Sequence, residues 1–461
     1  MAKQPIHDEG SFFLLANHEQ FWFVPLGGTG EIGMNMNMYG HDQQWLMVDC
    51  GITFDAPLTP GERQHFRVVA ADPQFISQQK QNLVGIVITH AHEDHIGGIA
   101  HLWRRFSAPI YTTPFTAEVL RRKLAQVGLA GKVPIIEVQA LESVQVGHFT
   151  IRWLPITHSL PEPFALTIST PVGAVLHTAD WKIDKSPVVG KPFEAEIFSQ
   201  LAEENLLAMV CDSTNALKSG HSVSEFECRK GLLKTIEAQQ GRVVVSCFAS
   251  NVARLLSLAY VAQQTGRYMA VLGRSLQNMV SIARLTGHWP QEVSLVDASH
   301  LGYLPANEVL AVATGSQGEP RAALHRLAHD NHFDLNLDGG DCVVFSAMEI
   351  PGNEDAIARL VKQFESRNID VVLSGSSDYP IHASGHPNKD ELTMMYKWVK
   401  PQIAIPVHGE AEHLEANARV AKSSGVPKSF VGNNGDLYQL APQPMLKRGW
   451  TKAGRIIIEA E

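Results

Sequence analysis

The chain has 461 residues, about three units of ordinary domain size, or two with one large. It is 44% hydrophobic and 18% charged, with 36 glycines and 25 prolines, which is globular composition and excludes disordered, collagen-like and coiled-coil classes. A formal charge of −9 argues against indiscriminate coating of nucleic acid but leaves room for a local basic groove. Five cysteines, at 50, 211, 228, 247 and 342, form no CxxC pair, so free buried thiols in a reducing cytoplasm are expected rather than disulfides or a Cys-zinc site. No apolar run reaches 18 residues, and Lys3, His7, Asp8 and Glu9 interrupt the start, so neither a membrane span nor a signal peptide is expected. The 21 histidines are the compositional oddity.

Residues up to about 20 read as a loose lead-in. Short apolar runs at 21–26, 45–50 and 84–89 predict strands buried on both faces. Helical stretches are expected at 96–106 and 116–127, and further strands at 149–155, 165–170, 174–177 and 207–211. This rhythm predicts a layered α/β sandwich. Beyond Asp212, helices at 223–239, 251–265 and 276–286 alternate with strands at 242–246 and 268–272, which predicts a parallel sheet with covering helices. That unit is expected to run to about residue 370, with 371–373 opening a returning segment that holds a strand at 403–407 and a helix near 410–424. The second unit thus reads as inserted into the first, giving segments 1–211, 212–370 and 371–461.

Gly28-Thr29-Gly30-Glu31-Ile32-Gly33 matches the dinucleotide fingerprint GxGxxG and follows a strand. The next residues, Met34 to Tyr39, alternate like a strand and lack a helix-entry signature, and the acidic slot that Asp49 or Asp55 would fill is easily met by chance. A tight glycine turn is the better reading.

Thr89-His90-Ala91-His92-Glu93-Asp94-His95-Ile96-Gly97-Gly98 sits between a buried strand and a helix. His90 and His92, two apart on an extended segment, project to the same side. Imidazole nitrogens and a carboxylate at this spacing supply parts of two adjacent metal shells, suited to Zn²⁺ and also to Mn²⁺. Three distant partners follow predicted strands: His158, Asp180 and His408. His177 competes with Asp180, but its place within a strand favours a packed or supporting role. The basic clusters Arg104-Arg105 and Arg121-Arg122-Lys123 are either solvated helix faces or contacts to a nucleic-acid backbone.

HxHxDH with later His, Asp and His resembles the metallo-β-lactamase superfamily. The inserted unit carries Asp212-Ser213-Thr214-Asn215-Ala216, Phe248-Ala249-Ser250-Asn251, Gly273-Arg274-Ser275, Thr314 to Pro320 and Ile350 to Glu354, and His382-Ala383-Ser384-Gly385-His386 follows it. Together these resemble the β-CASP nuclease branch, and within it the bacterial ribonuclease J family, over residues 21 to 435. The resemblance implies an αββα sandwich with an inserted α/β domain, two Zn²⁺ (or Mn²⁺) ions and single-stranded RNA as substrate. It implies that His90, His92 and His158 hold one metal, that Asp94, His95 and His408 hold the other, and that Asp180 bridges. It implies catalytic roles for Asp94, Asp180, Asp212 and His386, with a His386 imidazole paired to Asp212 as proton donor to the leaving oxygen. Ser250, Asn251, Val252, His382, Ala383, Ser384, Gly385 and His386 match its pocket for an RNA 5′-monophosphate, although Ser250-Asn251 also reads as a helix cap.

The activity so implied is 5′→3′ exonuclease with some endonuclease cleavage, in RNA processing and decay. A small-molecule hydrolase of the same fold and a non-catalytic RNA-binding scaffold are the rivals. Two departures stand out. Pro387 follows His386 where a small residue is expected, and the family commonly continues for roughly another hundred residues as a small domain. Residues 454–461 read as a strand leading toward such a domain, which supports homodimers or homotetramers in the family.

Overall fold

In the strand Phe21–Gly27, Trp22, Val24 and Leu26 point to one side and Phe21 and Phe23 to the other, and all are buried. A strand that is apolar on both faces needs cover on both. The computed structural model, which describes residues 15–55, 67–350 and 352–458, shows how that cover is built. The lead-in before residue 15, Pro351 and the last three residues, 459–461, lie outside the described residues.

Phe21–Gly27 sits within an eight-stranded sheet, paired to Met36–His41 and to Leu437–Ala441. The returning segment therefore completes the first sheet. A seven-stranded sheet faces it, with Ile403–Val407 and Gly173–His177 flanking Ala208–Asp212 in parallel. Phe21, Phe23, Tyr39 and Val48 meet Phe149, Ile151, Trp153, Val210 and Ile405 between the two sheets. Helices Ile99–Phe106 and Pro114–Gln126 cover the outside of the first sheet. Helices Lys389–Val399 and Ala411–Ser423 cover the outside of the second. This is the expected αββα sandwich.

The inserted residues form a separate five-stranded parallel sheet, in the order Tyr268–Leu272, Val309–Ala313, Val243–Ser246, Cys342–Phe345, Asp370–Leu373. Asp370–Leu373 is thus its edge strand and not the start of the returning segment. An apolar triplet reads alike in either sheet, and only its parallel pairing with Cys342–Phe345 assigns it. The stretch expected as one helix from 96 to 106 is two, Glu93–Ile96 and Ile99–Phe106. Gly98 N donates to Cys50 O (2.9 Å), which ties the break to the turn after the strand Gln44–Val48.

Arg455–Ile457 is a strand and pairs antiparallel with Arg67–Ala71 of the first domain. All five cysteines are free and buried. Among the described residues no helix is long and apolar enough to cross a membrane.

Candidate metal centre and phosphate loop

Strands that run in the same direction in a sheet end at one edge, so residues that follow their carboxyl ends are delivered there. His158 follows Phe149–Pro155, Asp180 follows Gly173–His177, Asp212 ends Ala208–Asp212, and His408 follows Ile403–Val407. Thr89 to His95 arrives from Leu83–Val87 of the facing sheet. The approach is close: a Cβ on Gly51 would lie 1.7 Å from Asp94 O, so only glycine fits there.

The seven side chains expected as ligands come together. His90, His92, His158 and Asp180 form one group whose ligand atoms lie within 4.8 Å of one another, and Asp94, His95, Asp180 and His408 form a second. Asp180 belongs to both, as expected of a bridge. His92 Nδ1 and His158 Nε2 converge to 3.0 Å. Asp94 Oδ2 is 3.1 Å from His408 Nε2 and 3.5 Å from His95 Nε2.

Four of the five imidazoles are oriented from behind. His95 Nδ1 donates to Asp49 Oδ2 (2.7 Å) and His158 Nδ1 to Gly385 O (2.6 Å). His90 Nδ1 lies 3.0 Å from Thr89 Oγ1, which in turn donates to Asp49 Oδ2 (2.9 Å). His408 Nδ1 lies 2.7 Å from Thr214 Oγ1, which donates to Asp212 Oδ1 (2.8 Å). A carboxylate–threonine–imidazole relay thus occurs twice. Such outer partners fix the ring orientation and leave Nε2 of these four rings facing inward.

The donors suit a cation. His90 Nε2 and Asp180 Oδ1 are buried without a hydrogen-bond partner, an arrangement that costs free energy unless something else satisfies them. Burial holds the pKa of His90 and His158 well below the usual histidine value, and that of His92 down to about 4, so these rings are neutral. Burial also opposes charge on His95 and His408, but Asp180 and the other carboxylates outweigh it and hold both well above the usual value. Metal ions compete with protons for such ligands, so a bound cation would take over the balancing of these carboxylates.

Asp49 was legible only as the acidic slot of the glycine fingerprint. It is buried beneath His95 and also accepts from Thr89 N (2.9 Å). Asp49→Asn is expected to weaken metal affinity by about 10–100-fold while the fold persists, read by chelator competition and circular dichroism. Metal affinity equal to that of the native chain would contradict this support role. The fingerprint glycines all have positive φ, at +84°, +84° and +97°, and lead into a strand, so no helix N-terminus faces a phosphate there. Gly28 O instead accepts from His408 N (2.6 Å). His177 is buried, its Nδ1 2.9 Å from Tyr39 Oη.

His386 Nδ1 donates to Asp212 Oδ2 (2.8 Å). Burial would lower its pKa, yet Asp212 and Asp180 raise it above the usual value. Ser384 Oγ accepts from Asn215 Nδ2 (2.8 Å), and the same amide reaches His386 O (3.2 Å). Asn215, quoted above only within its motif, therefore braces this loop. His382 is pushed down to about 3 by burial beside Arg254, so its ring is neutral. Ala383 packs into the core with Ile381. Asn388, directly after Pro387, opens Lys389–Val399 with a capping box.

Ser250, Asn251 and Val252 open the helix Val252–Gln264. Asn251 Oδ1 caps it by accepting from Arg254 N (2.8 Å). Val252 has a buried side chain and an N–H bonded to Ser250 O (2.9 Å), so its donor is already in use. The Arg121–Lys123 cluster is also engaged. Arg121 pairs with Glu137 (2.6 Å), Arg122 with Glu118 (2.9 Å) and Asn278 Oδ1 (2.6 Å), and Lys123 with Glu93 (2.5 Å). Arg104 and Arg105 are exposed.

Comparison with known proteins agrees with this geometry. Residues 30–191 match the metallo-β-lactamase superfamily, 240–364 the ribonuclease J β-CASP domain, and 379–429 the Zn-dependent metallo-hydrolase RNA specificity domain. The chain is 43% identical to ribonuclease J of Sinorhizobium meliloti over 93% of its own length and 76% of the relative's. It is 33% identical to ribonuclease J of Thermus thermophilus, covering 95% of this chain and 77% of that one. It is 34% identical to ribonuclease J of Helicobacter pylori (strain B128), covering 95% of this chain but only 63% of the relative. A crystal structure of a protein of unknown function from Enterococcus faecalis shares the fold, with a TM-score of 0.63 at 14% identity, covering 91% of this chain and all of that one. The chain belongs to the ribonuclease J family, RNA-cleaving metallo-hydrolases of the metallo-β-lactamase superfamily with a β-CASP insertion.

Proposed function

We propose that this chain hydrolyses RNA phosphodiester bonds stepwise in the 5′→3′ direction, prefers 5′-monophosphate ends, and also cuts internally, in RNA processing and decay. The observation that carries this reading is the bond from His158 Nδ1 to Gly385 O, because it joins the candidate metal groups to the candidate phosphate loop.

His90, His92 and His158 would hold one divalent ion, and Asp94, His95 and His408 a second, with Asp180 between them. Their nitrogen and oxygen donors favour Zn²⁺, and Mn²⁺ also suits them. When bound, such ions lower the pKa of water and offset charge on the phosphoryl oxygens. The chain's own residues do the rest. Ser384 and Gly385, with Ser250 and the Asn251 amide nitrogen, orient the 5′ phosphate. Asp212 holds a proton on His386 Nδ1, which keeps the imidazole poised to protonate the leaving 3′-oxygen through its other nitrogen. A pocket one nucleotide from the ions would measure single-nucleotide steps. The same reading takes 1–211, 212–373 and 374–461 as its segments, a homodimer or homotetramer as its assembly, and a reducing cytoplasm, which the buried free thiols favour.

The direct test incubates 5′-monophosphate and 5′-hydroxyl RNA with the protein and Mn²⁺ or Zn²⁺. Mononucleotide release favouring the monophosphate RNA supports the proposal. Binding without turnover would favour a scaffold, and inertness toward RNA a small-molecule hydrolase. A sharper expectation concerns Ser384, whose Oγ accepts from Asn215 and so has its O–H free to donate. Ser384→Ala should lower the monophosphate preference by about 10-fold or more, as expected for a hydrogen bond to a charged group, with internal cleavage less affected. Equal loss of both activities would count against the pocket.

A further inference from the structure

One fully buried ion pair has no part in the chemistry above. Arg254, on Val252–Gln264, has 0% exposure, and Glu225, first residue of Glu225–Glu237, has 1%. Arg254 Nε and Nη2 donate to the two oxygens of Glu225 (3.2 and 2.9 Å). Its Nη1 donates to Ser346 O (2.7 Å), to Ser346 Oγ and to Ile381 O (3.3 Å). Ser346 Oγ also donates to Ile381 O (2.6 Å). Ile381 is the residue before His382, so this node grips the root of the segment that carries Ser384, Gly385 and His386.

The other side of the pair leads to the metal groups. Glu225 N donates to Asp184 Oδ2 (3.0 Å), and Ser224 Oγ to Asp184 Oδ1 (2.8 Å). Lys182, two residues after Asp180, donates from Nζ to Val223 O (2.9 Å) and exchanges bonds with Thr157, the neighbour of His158. The path runs from His158 and Asp180 through Asp184 and Glu225 to Arg254 and Ile381. It closes where His158 Nδ1 meets Gly385 O at 2.6 Å. The far end of the loop is fixed separately, since Glu391 accepts from Asn388 N (2.8 Å) and from Ile183 N (2.8 Å).

Burying two charges is expensive, and apolar side chains of similar size would hold two helices together as well or better. What apolar packing cannot do is address acceptors on three residues in fixed directions, which a planar guanidinium does. We propose that Arg254 is a positioning residue for RNA cleavage: its guanidinium fixes the Ile381 carbonyl, and through it the His382–His386 segment, against His158 and Asp212. This rests on the reading of that segment as phosphate-binding and proton-donating.

The test compares Arg254→Lys and Arg254→Met with the native chain. Arg254→Lys keeps the charge but cannot serve Glu225, Ser346 and Ile381 together. In chelated protein, hydrogen exchange should quicken at amides 381–386 and stay unchanged at 243–246 of the inserted sheet. With metal restored to the native level, kcat should fall by about 10–100-fold, as small misplacements of reacting groups do, with KM for 5′-hydroxyl RNA little changed. Affinity for 5′-monophosphate RNA, measured under chelation, should fall toward that for 5′-hydroxyl RNA. Unchanged exchange at 381–386, or equal quickening at 243–246, would overturn the proposal. Should Arg254→Met not fold, Arg254→Lys still decides. A native chain with no monophosphate preference would sink the pocket reading alone, because the exchange data judge Arg254 without it.

Discussion

Replacing Asp94 and His95 together by alanine is expected to reduce RNA cleavage by at least about 10³-fold while leaving RNA binding in place. The two residues supply an oxygen and a nitrogen to the group completed by Asp180 and His408. Metal-derived stabilisation of developing charge is worth several kcal/mol, and about 1.4 kcal/mol corresponds to a tenfold change in rate, which sets the magnitude. Binding draws on phosphate contacts over a longer stretch of RNA and should change far less. A cleavage assay, fluorescence anisotropy with labelled RNA and metal analysis read the three quantities separately. Cleavage within tenfold of the native chain would remove this cluster from the chemistry.

The second large effect is expected for His386→Ala, with kcat lower by about 10²–10⁴-fold, the range of a positioned general acid. Metal content should stay at the native level. That readout matters because His386 also lies in a third cluster, with Asp180, Asp212 and His408, whose ligand atoms are within 4.8 Å of one another. If His386 were a ligand, its loss would lower metal content and rate together. If it is the proton donor, a substrate with a more acidic leaving group should recover part of the lost rate in the variant. Asp212→Asn should resemble His386→Ala in part, because the amide can no longer hold the proton on His386 Nδ1 at the observed 2.8 Å contact. Asp212 also holds Thr214, and through it His408, so some effect on metal affinity is expected there as well.

The strands bearing the site were legible because burial on both faces leaves a continuous apolar run, as in Ile403–Val407, which appears at the residues expected. The edge strand Asp370–Leu373 was assigned to the wrong segment, since its few residues carry no mark of their partner. The glycine turn was read correctly as a turn, because Met36–His41 alternates as a strand should. Its acidic companion was not understood. Asp49 directly follows the strand Gln44–Val48, and nothing in its neighbours announces that His95, 46 positions away, donates to it.

The amino-acid order by itself determined the metal-binding chemistry, because Thr89 to His95 packs most of its donors into one continuous turn whose spacing is visible without a fold. It also determined the two-part architecture, through the change from mixed strands to strand–helix alternation after Asp212. Only the tertiary structure decided which groups orient those donors and which node holds the loop opposite them. Asp49, Thr214, Asn215 and Arg254 act through hydrogen bonds to residues far away in the chain. Hydrogen bonds act over about 3 Å and depend on direction, so their partners exist only once the sheets have brought those residues together.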